Sequence, residues 1–142
     1  MEPVTFSDLE RAIRDAWSDE TCDVADLPNW TPENPSRGQC GATSLLVQDL
    51  MGGDLLEATV QHPNGTHQGY HYWNRLAGGL DVDLTAKQFA PDEIVQPPIV
   101  VARAVPGPPL RSPERYLLLR ARVLEALGLP ADRDADLEVA AG

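Results

Sequence analysis

The sequence predicts an α+β domain: a Cys-bearing central helix packed on an antiparallel β-meander and flanked by N- and C-terminal helices. Three observations predict it. An amphipathic helical pattern opens the chain, and an apolar helix ending at Gly52-Gly53 follows a proline-rich loop. From Leu55 the periodicity then changes to short β-like runs separated by glycine turns. The 142 residues suit one domain. Residues 1–130 read as the compact unit, and 131–142, rich in Ala and Asp, as a flexible acidic tail.

The first helix takes Ser7 as its N-cap, Glu10 as capping-box partner and Phe6 as staple residue. Leu9, Ile13, Ala16 and Trp17 share its buried face. Asp19 to Arg37 holds Pro28, Pro32 and Pro35 and reads as an extended surface loop, with Trp30 anchoring it to the core. A helix from about Gln39 to Met51 follows, stopped by the glycine pair. Apolar residues cover most of its circumference, which marks an interior helix.

Leu55–His62 and His67–Leu76 flank Pro63-Asn64-Gly65-Thr66, and the Asn-Gly pair signals a hairpin. Ala77-Gly78-Gly79 turns the chain into Leu80–Leu84, the third strand of the meander. Ile99–Val105 reads as a further strand, kept near an edge by its prolines. Ser112 and Pro113 open the last helix as N-cap and first helical residue. Its buried face carries Tyr116, Leu119, Val123 and Leu127, widened by Leu117, Leu118 and Leu124, and Gly128 and Pro130 end it.

A formal charge of −11 argues against nucleic acid and anionic membranes, both of which need a basic stripe. No apolar run approaches a membrane span, and the start lacks signal-peptide character. The expected location is therefore the cytoplasm, where the two cysteines, Cys22 and Cys40, are free thiols. No phosphate loop or dinucleotide fingerprint occurs, and no cofactor is expected. His62 and His67 pair at the hairpin tip, away from His71, so no metal site is expected either.

Cys40 stands where a helix N-terminus points unsatisfied N–H groups at its sulfur, an environment that favours the reactive thiolate. Its own N–H and the Gln39 side chain are candidate oxyanion donors. His71, in the strand-like run Tyr70-His71-Tyr72-Trp73-Asn74, is the candidate base. Asp81 and Asp83 on the next strand are candidates for the group that orients the imidazole. Register decides the matter. A two-residue Gly78-Gly79 turn sets Asn74 opposite Asp83 and His71 on the other face. A three-residue Ala77-Gly78-Gly79 loop sets Trp73 opposite Asp83, so that His71 shares its face diagonally.

Trp30, Asn34-Pro35-Ser36-Arg37-Gly38-Gln39-Cys40, His71-Tyr72-Trp73-Asn74-Arg75-Leu76 and Asp83-Leu84-Thr85 through Gln88-Phe89 together resemble the bacterial YunG-like proteins. More distantly, a helix-borne Cys, a strand His and a next-strand Asp followed closely by Thr are similar to the transglutaminase-like branch of the papain-like superfamily. That resemblance implies a papain-like core, with Cys40 as nucleophile, His71 as base and Asp83, rather than Asp81, as orienting residue. The chain is much shorter than a full transglutaminase or papain and lacks the lobe that forms an extended cleft.

The expected activity is thiol-dependent acyl transfer on a small-molecule or specific-peptide amide, with amidase, deamidase, peptidase and amide-forming outcomes all compatible. Gln39, Trp30, Trp73 and Asn74 are the expected oxyanion and substrate contacts. The alternative is a non-catalytic binding or accessory module of the same fold, in which Tyr70, Tyr72, Trp73 and Trp30 form the ligand surface.

Overall fold

Thr5, extended at φ −85° and ψ 162°, begins the first helix two residues earlier than the expected Ser7 cap. In the computed structural model, which describes residues 4–103, 106–109 and 112–130 with the backbone of Val139 and Ala140, β1 (Val4–Thr5) leads straight into α1 (Phe6–Ala16). The Thr5 hydroxyl accepts from the Asp8 N–H and the Asp8 carboxylate from the Thr5 N–H, both at 3.0 Å. Thr5, not Ser7, therefore closes the capping box, with Asp8 as its reciprocal partner. Glu10, left outside the cap, pairs with Arg14 one turn on.

The proline-rich stretch is not extended throughout: Val24–Asn29 forms a 3-10 turn capped by Asp23. Trp30 does not anchor it to the core, because its indole N–H donates to the Pro35 carbonyl within the same loop. Helix α2 runs Cys40–Met51, with Gln39 as N-cap residue and Gly52 as C-cap. The hairpin forms, with β2 (Asp54–Gln61) and β3 (His67–Arg75) antiparallel, but an irregularity at Val60/Gln61 sets His67 opposite Gln61 rather than the expected His62.

β4 is short, Asp81–Val82, and joins β3 through the three-residue loop. The Leu76 N–H donates to the Leu80 carbonyl at 2.8 Å, while Gly78 and Gly79 take φ of 92° and 88°. Those left-handed values are what let the loop close in three residues. Arg75 pairs with Asp81 and Asn74 with Val82. Continuing this register sets Trp73 opposite Asp83.

Two short strands that pair with the other edge of β2 complete a five-stranded sheet among the described residues. β5 (Ile94–Val95) meets Val60–Gln61, and β6 (Ile99–Val101) meets Leu55–Glu57. The first was not foreseen; the second is the paired part of the expected Ile99–Val105 strand, whose Ala104 and Val105 lie outside the described residues. Helix α3 (Pro113–Ala126) starts after Ser112, which adopts a left-handed conformation (φ 50°) and makes no side-chain cap bond. Most of the expected tail also lies outside the described residues, while the backbone of β7 (Val139–Ala140) pairs in parallel with β1.

The core lies between the three helices. Leu9 and Ile13 of the first with Trp17 just beyond it, Leu46, Val47 and Leu50 of the second, and Tyr116, Leu119, Val123 and Leu124 of the third are buried together with Leu84. Leu117, expected on the buried stripe, is half exposed. Asp49, also buried, takes two bonds from the Arg103 guanidinium, at 2.6 and 3.1 Å, and others from the Gly107 N–H and the Tyr116 hydroxyl. A buried carboxylate satisfied this fully fastens α2 to α3 and to the segment after β6. The protein is therefore a mixed α+β fold with an antiparallel sheet, and α2 packs chiefly on β3.

Candidate functional site

Cys40 is the first residue of α2, where the leading N–H groups lack intrahelical partners. Its side chain is partly exposed and lies on the wall of a cleft of about 720 Å³. Gly41 lines the same cleft, and a Cβ added there would meet nothing within 4 Å. Backbone donors, a sulfur and open space therefore coincide at the helix start.

His71 sits on β3 and is 1% exposed. Its Nε2 lies 2.6 Å from Oδ2 of Asp83. The other carboxylate oxygen of Asp83 accepts from the Thr85 N–H at 3.2 Å and from the Thr85 hydroxyl at 3.4 Å. Trp73, two residues along the same face, stacks on the imidazole at 5.1 Å between ring centres, and Phe89 meets it edge-on at 4.8 Å. Burial pushes the imidazole pKa down, but hydrogen bonds and charge from Asp83 and Cys40 outweigh it and raise the pKa to about 9. Cys40 is thus one of the neighbours whose influence reaches the ring. Asp83 occupies Nε2, while Nδ1 faces the amide nitrogen of Gln88 at 3.3 Å.

The two candidate carboxylates separate cleanly. Asp81 pairs with the Arg75 guanidinium at 2.7 Å at the exposed end of the same face, and its carboxyl is held below the ordinary range, chiefly by that bond. Only Asp83 reaches His71. The hairpin-tip histidines stay apart from it: His67 packs edge-on against Tyr70, and His62 belongs to the turn. Among the described residues, no group of three or more His, Cys, Asp or Glu is placed to hold a metal.

The structure gives the expected oxyanion and substrate contacts other work, and none of the four lines the cleft. The Gln39 side chain is fully buried, accepting from the Thr21 hydroxyl at 2.8 Å and donating to the Ser18 carbonyl at 2.9 Å. Its amide is committed to the 18–21 turn and holds the start of α2 against it. Asn74 donates to the Ser44 carbonyl at 2.9 Å and ties β3 to α2. Trp73 covers the imidazole, and Trp30 closes its own loop. Tyr70 and Tyr72 do line the cleft, but the Trp30 and Trp73 of the expected aromatic surface do not join them.

Sequence reasoning missed Gln88. It ends the 3-10 turn Ala86–Gln88 and is buried, yet its amide touches three parts of the site. Its oxygen accepts from the Gly38 N–H at 3.1 Å. Its nitrogen lies 3.1 Å from the Thr85 hydroxyl and 3.3 Å from Nδ1 of His71. The available signal was the spacing of Thr85 and Gln88 after Asp83, which alone does not say that the turn folds back under Cys40.

Comparison with known proteins places these features in a family. The family model described as "YunG protein" matches residues 5–128, nearly the whole described chain. A Bacillus subtilis (strain 168) protein described as "Uncharacterized protein YunG" is 38% identical over 60 residues, covering 42% of this chain. The matched stretch spans about half of that relative, 46% of its length. No solved structure matches.

Proposed function

The chain belongs to the YunG family, and within it we propose a cysteine-nucleophile enzyme that transfers acyl groups from a small-molecule or specific-peptide amide. One observation carries the reading: Cys40 stands on a cleft wall near enough to influence a buried imidazole whose Nε2 is held at 2.6 Å by Asp83. The order of these residues, Cys on a helix, His on a strand and Asp after the next, is similar to that of the transglutaminase-like branch of the papain-like enzymes. It supports a papain-like reading of the core.

In this reading Nδ1 of His71 takes the proton from the Cys40 thiol, and the thiolate attacks the acyl carbon. The developing oxyanion is met by the first backbone N–H groups of α2 at Cys40 and Gly41, since the Gln39 amide is engaged elsewhere. The carbon–nitrogen bond breaks, and the leaving amine takes the proton from His71. Water or a second amine then attacks the thioester and frees Cys40. Asp83 keeps the ring in register throughout.

Incubation with aryl thioesters and p-nitroanilides, followed by mass spectrometry, tests the scheme. An acyl adduct on Cys40, absent from Cys40→Ala and strongly reduced in His71→Ala, is the expected result. A folded protein that iodoacetamide alkylates at Cys40, but that no acyl donor modifies, points instead to a binding module built on the cleft of Tyr70 and Tyr72.

A further inference from the structure

Gln88 has one amide oxygen and two amide hydrogens, and the structure accounts for all three. The Gly38 N–H can only donate, so the atom facing it at 3.1 Å must be the oxygen. That fixes the amide. Its nitrogen, and not its oxygen, then faces the Thr85 hydroxyl and Nδ1 of His71. The turn is itself held in place, since the Gln88 carbonyl accepts from Asn34 at 3.1 Å and from Arg37 at 3.3 Å.

An N–H group aimed at Nδ1 suits only an imidazole whose Nδ1 carries a lone pair. We propose that Gln88 is a positioning residue for His71: in the neutral ring it holds the proton on Nε2, toward Asp83, and keeps Nδ1 as the unprotonated nitrogen. The proposal rests on the acyl-transfer reading of the site and deepens it. When Nδ1 takes the thiol proton, two donors face each other, Nδ1–H and the Gln88 N–H. The amide cannot turn to relieve this without opposing its N–H to that of Gly38. Gln88 therefore favours return of the proton from Nδ1, which in the reaction means delivery to the leaving nitrogen. The charged or titratable groups that reach the ring are Asp83, beyond β4, and Cys40, on α2. Trp73, Phe89 and the cross-strand Ala58 are uncharged neighbours.

The test is nitrogen NMR of the His71 imidazole in the full-length protein, in the native sequence and in a Cys40→Ala background that removes coupling to the thiol. In both, the neutral ring is expected to carry its proton on Nε2. Gln88→Met, which removes the donor, should raise the midpoint of Nδ1 protonation by about 0.5 to 1 unit. Gln88→Glu can still accept from the Gly38 N–H, and should raise it by more than about one unit. The glutamate variant keeps the test decisive if the methionine variant fails to fold. An unchanged midpoint in a folded variant, or a neutral ring with its proton on Nδ1, overturns the proposal. Failure of Cys40 to acylate with the tautomer as expected overturns the acyl-transfer reading alone.

Discussion

Oδ2 of Asp83 and Nε2 of His71 stand 2.6 Å apart across neighbouring segments of the sheet, joined through a loop with two left-handed glycines. A loop one residue shorter would shift the pairing and turn Asp83 to the opposite face from His71. Asp81, only two positions away, spends its charge on Arg75. Asp83→Asn should therefore slow iodoacetamide alkylation of Cys40 at pH 7 by roughly threefold or more, since it removes the carboxylate that stabilises the protonated imidazole beside the thiol. Asp81→Asn should leave the rate within about twofold, as exposed ion pairs contribute little. Equal losses in the two variants would mean that general surface charge, not the His71 contact, controls the thiol.

The raised imidazole pKa makes stability depend on pH in a defined direction. Folding lifts His71 from its ordinary 6.5 to about 9, so the folded state binds the proton more tightly than the unfolded one. The resulting stabilisation is full below pH 6.5 and fades as pH rises through 9. Its upper size is about 3 kcal/mol, from a pKa difference of roughly two and a half units. Urea denaturation at pH 6, 7.5 and 9 should show stability falling across this interval, with a much smaller fall in His71→Gln. A protein that gains stability between pH 6.5 and 9 would contradict the assignment.

The two thiols should behave differently. Burial, and then the charges of Asp26 and Asp23, push Cys22 up to about 12, while Arg115 and Arg37 oppose this only weakly. Its sulfur donates to the Asp23 carbonyl and is shut from solvent, whereas Cys40 opens on the cleft. Iodoacetamide at pH 8 should give one adduct on the native protein, at Cys40, and two after unfolding in urea. Rapid labelling of Cys22 in the native state would show that the packing around it is looser than described.

Local signals carried the fold further than they carried the site. Turn glycines, the Asn-Gly hairpin and the apolar stripes located α1, α2, the hairpin and α3 to within a residue or two, because each is set by neighbours in sequence. The first cap shifted to Thr5 since two overlapping capping boxes were written in the same turn. β5 escaped notice because two residues make no periodicity. Within the candidate site, the His71–Asp83 contact was legible from strand register. Gln39, Trp30, Trp73 and Asn74 were misplaced for one reason. Nearness in sequence to Cys40 or His71 does not say which way a side chain points, and long-range partners such as Ser18, Thr21 and Ser44 claimed two of them. Gln88 was hidden for the converse reason, since its partner Gly38 lies 50 positions away.

Two glycines flanking Cys40 should respond in opposite ways to the same substitution. Gly38 has φ of +72°, and an added Cβ would stand 2.5 Å from Sγ of Cys22 and 2.8 Å from Cβ of Asp26. Left-handed strain of about 1–2 kcal/mol and overpacking of about 1–3 kcal/mol should make Gly38→Ala destabilising by several kcal/mol in urea titration. Part of that cost is the clash with sulfur, so Gly38→Ala should cost less in a Cys22→Ala background, by about 1 kcal/mol of coupling. Gly41 lies in helical backbone with open space above it, so Gly41→Ala should be neutral or stabilising by up to about 1 kcal/mol. A bulkier Gly41→Leu should fold normally yet slow alkylation of Cys40 by filling the cleft beside it. Unhindered alkylation in that variant would place the approach to the sulfur on another side of α2.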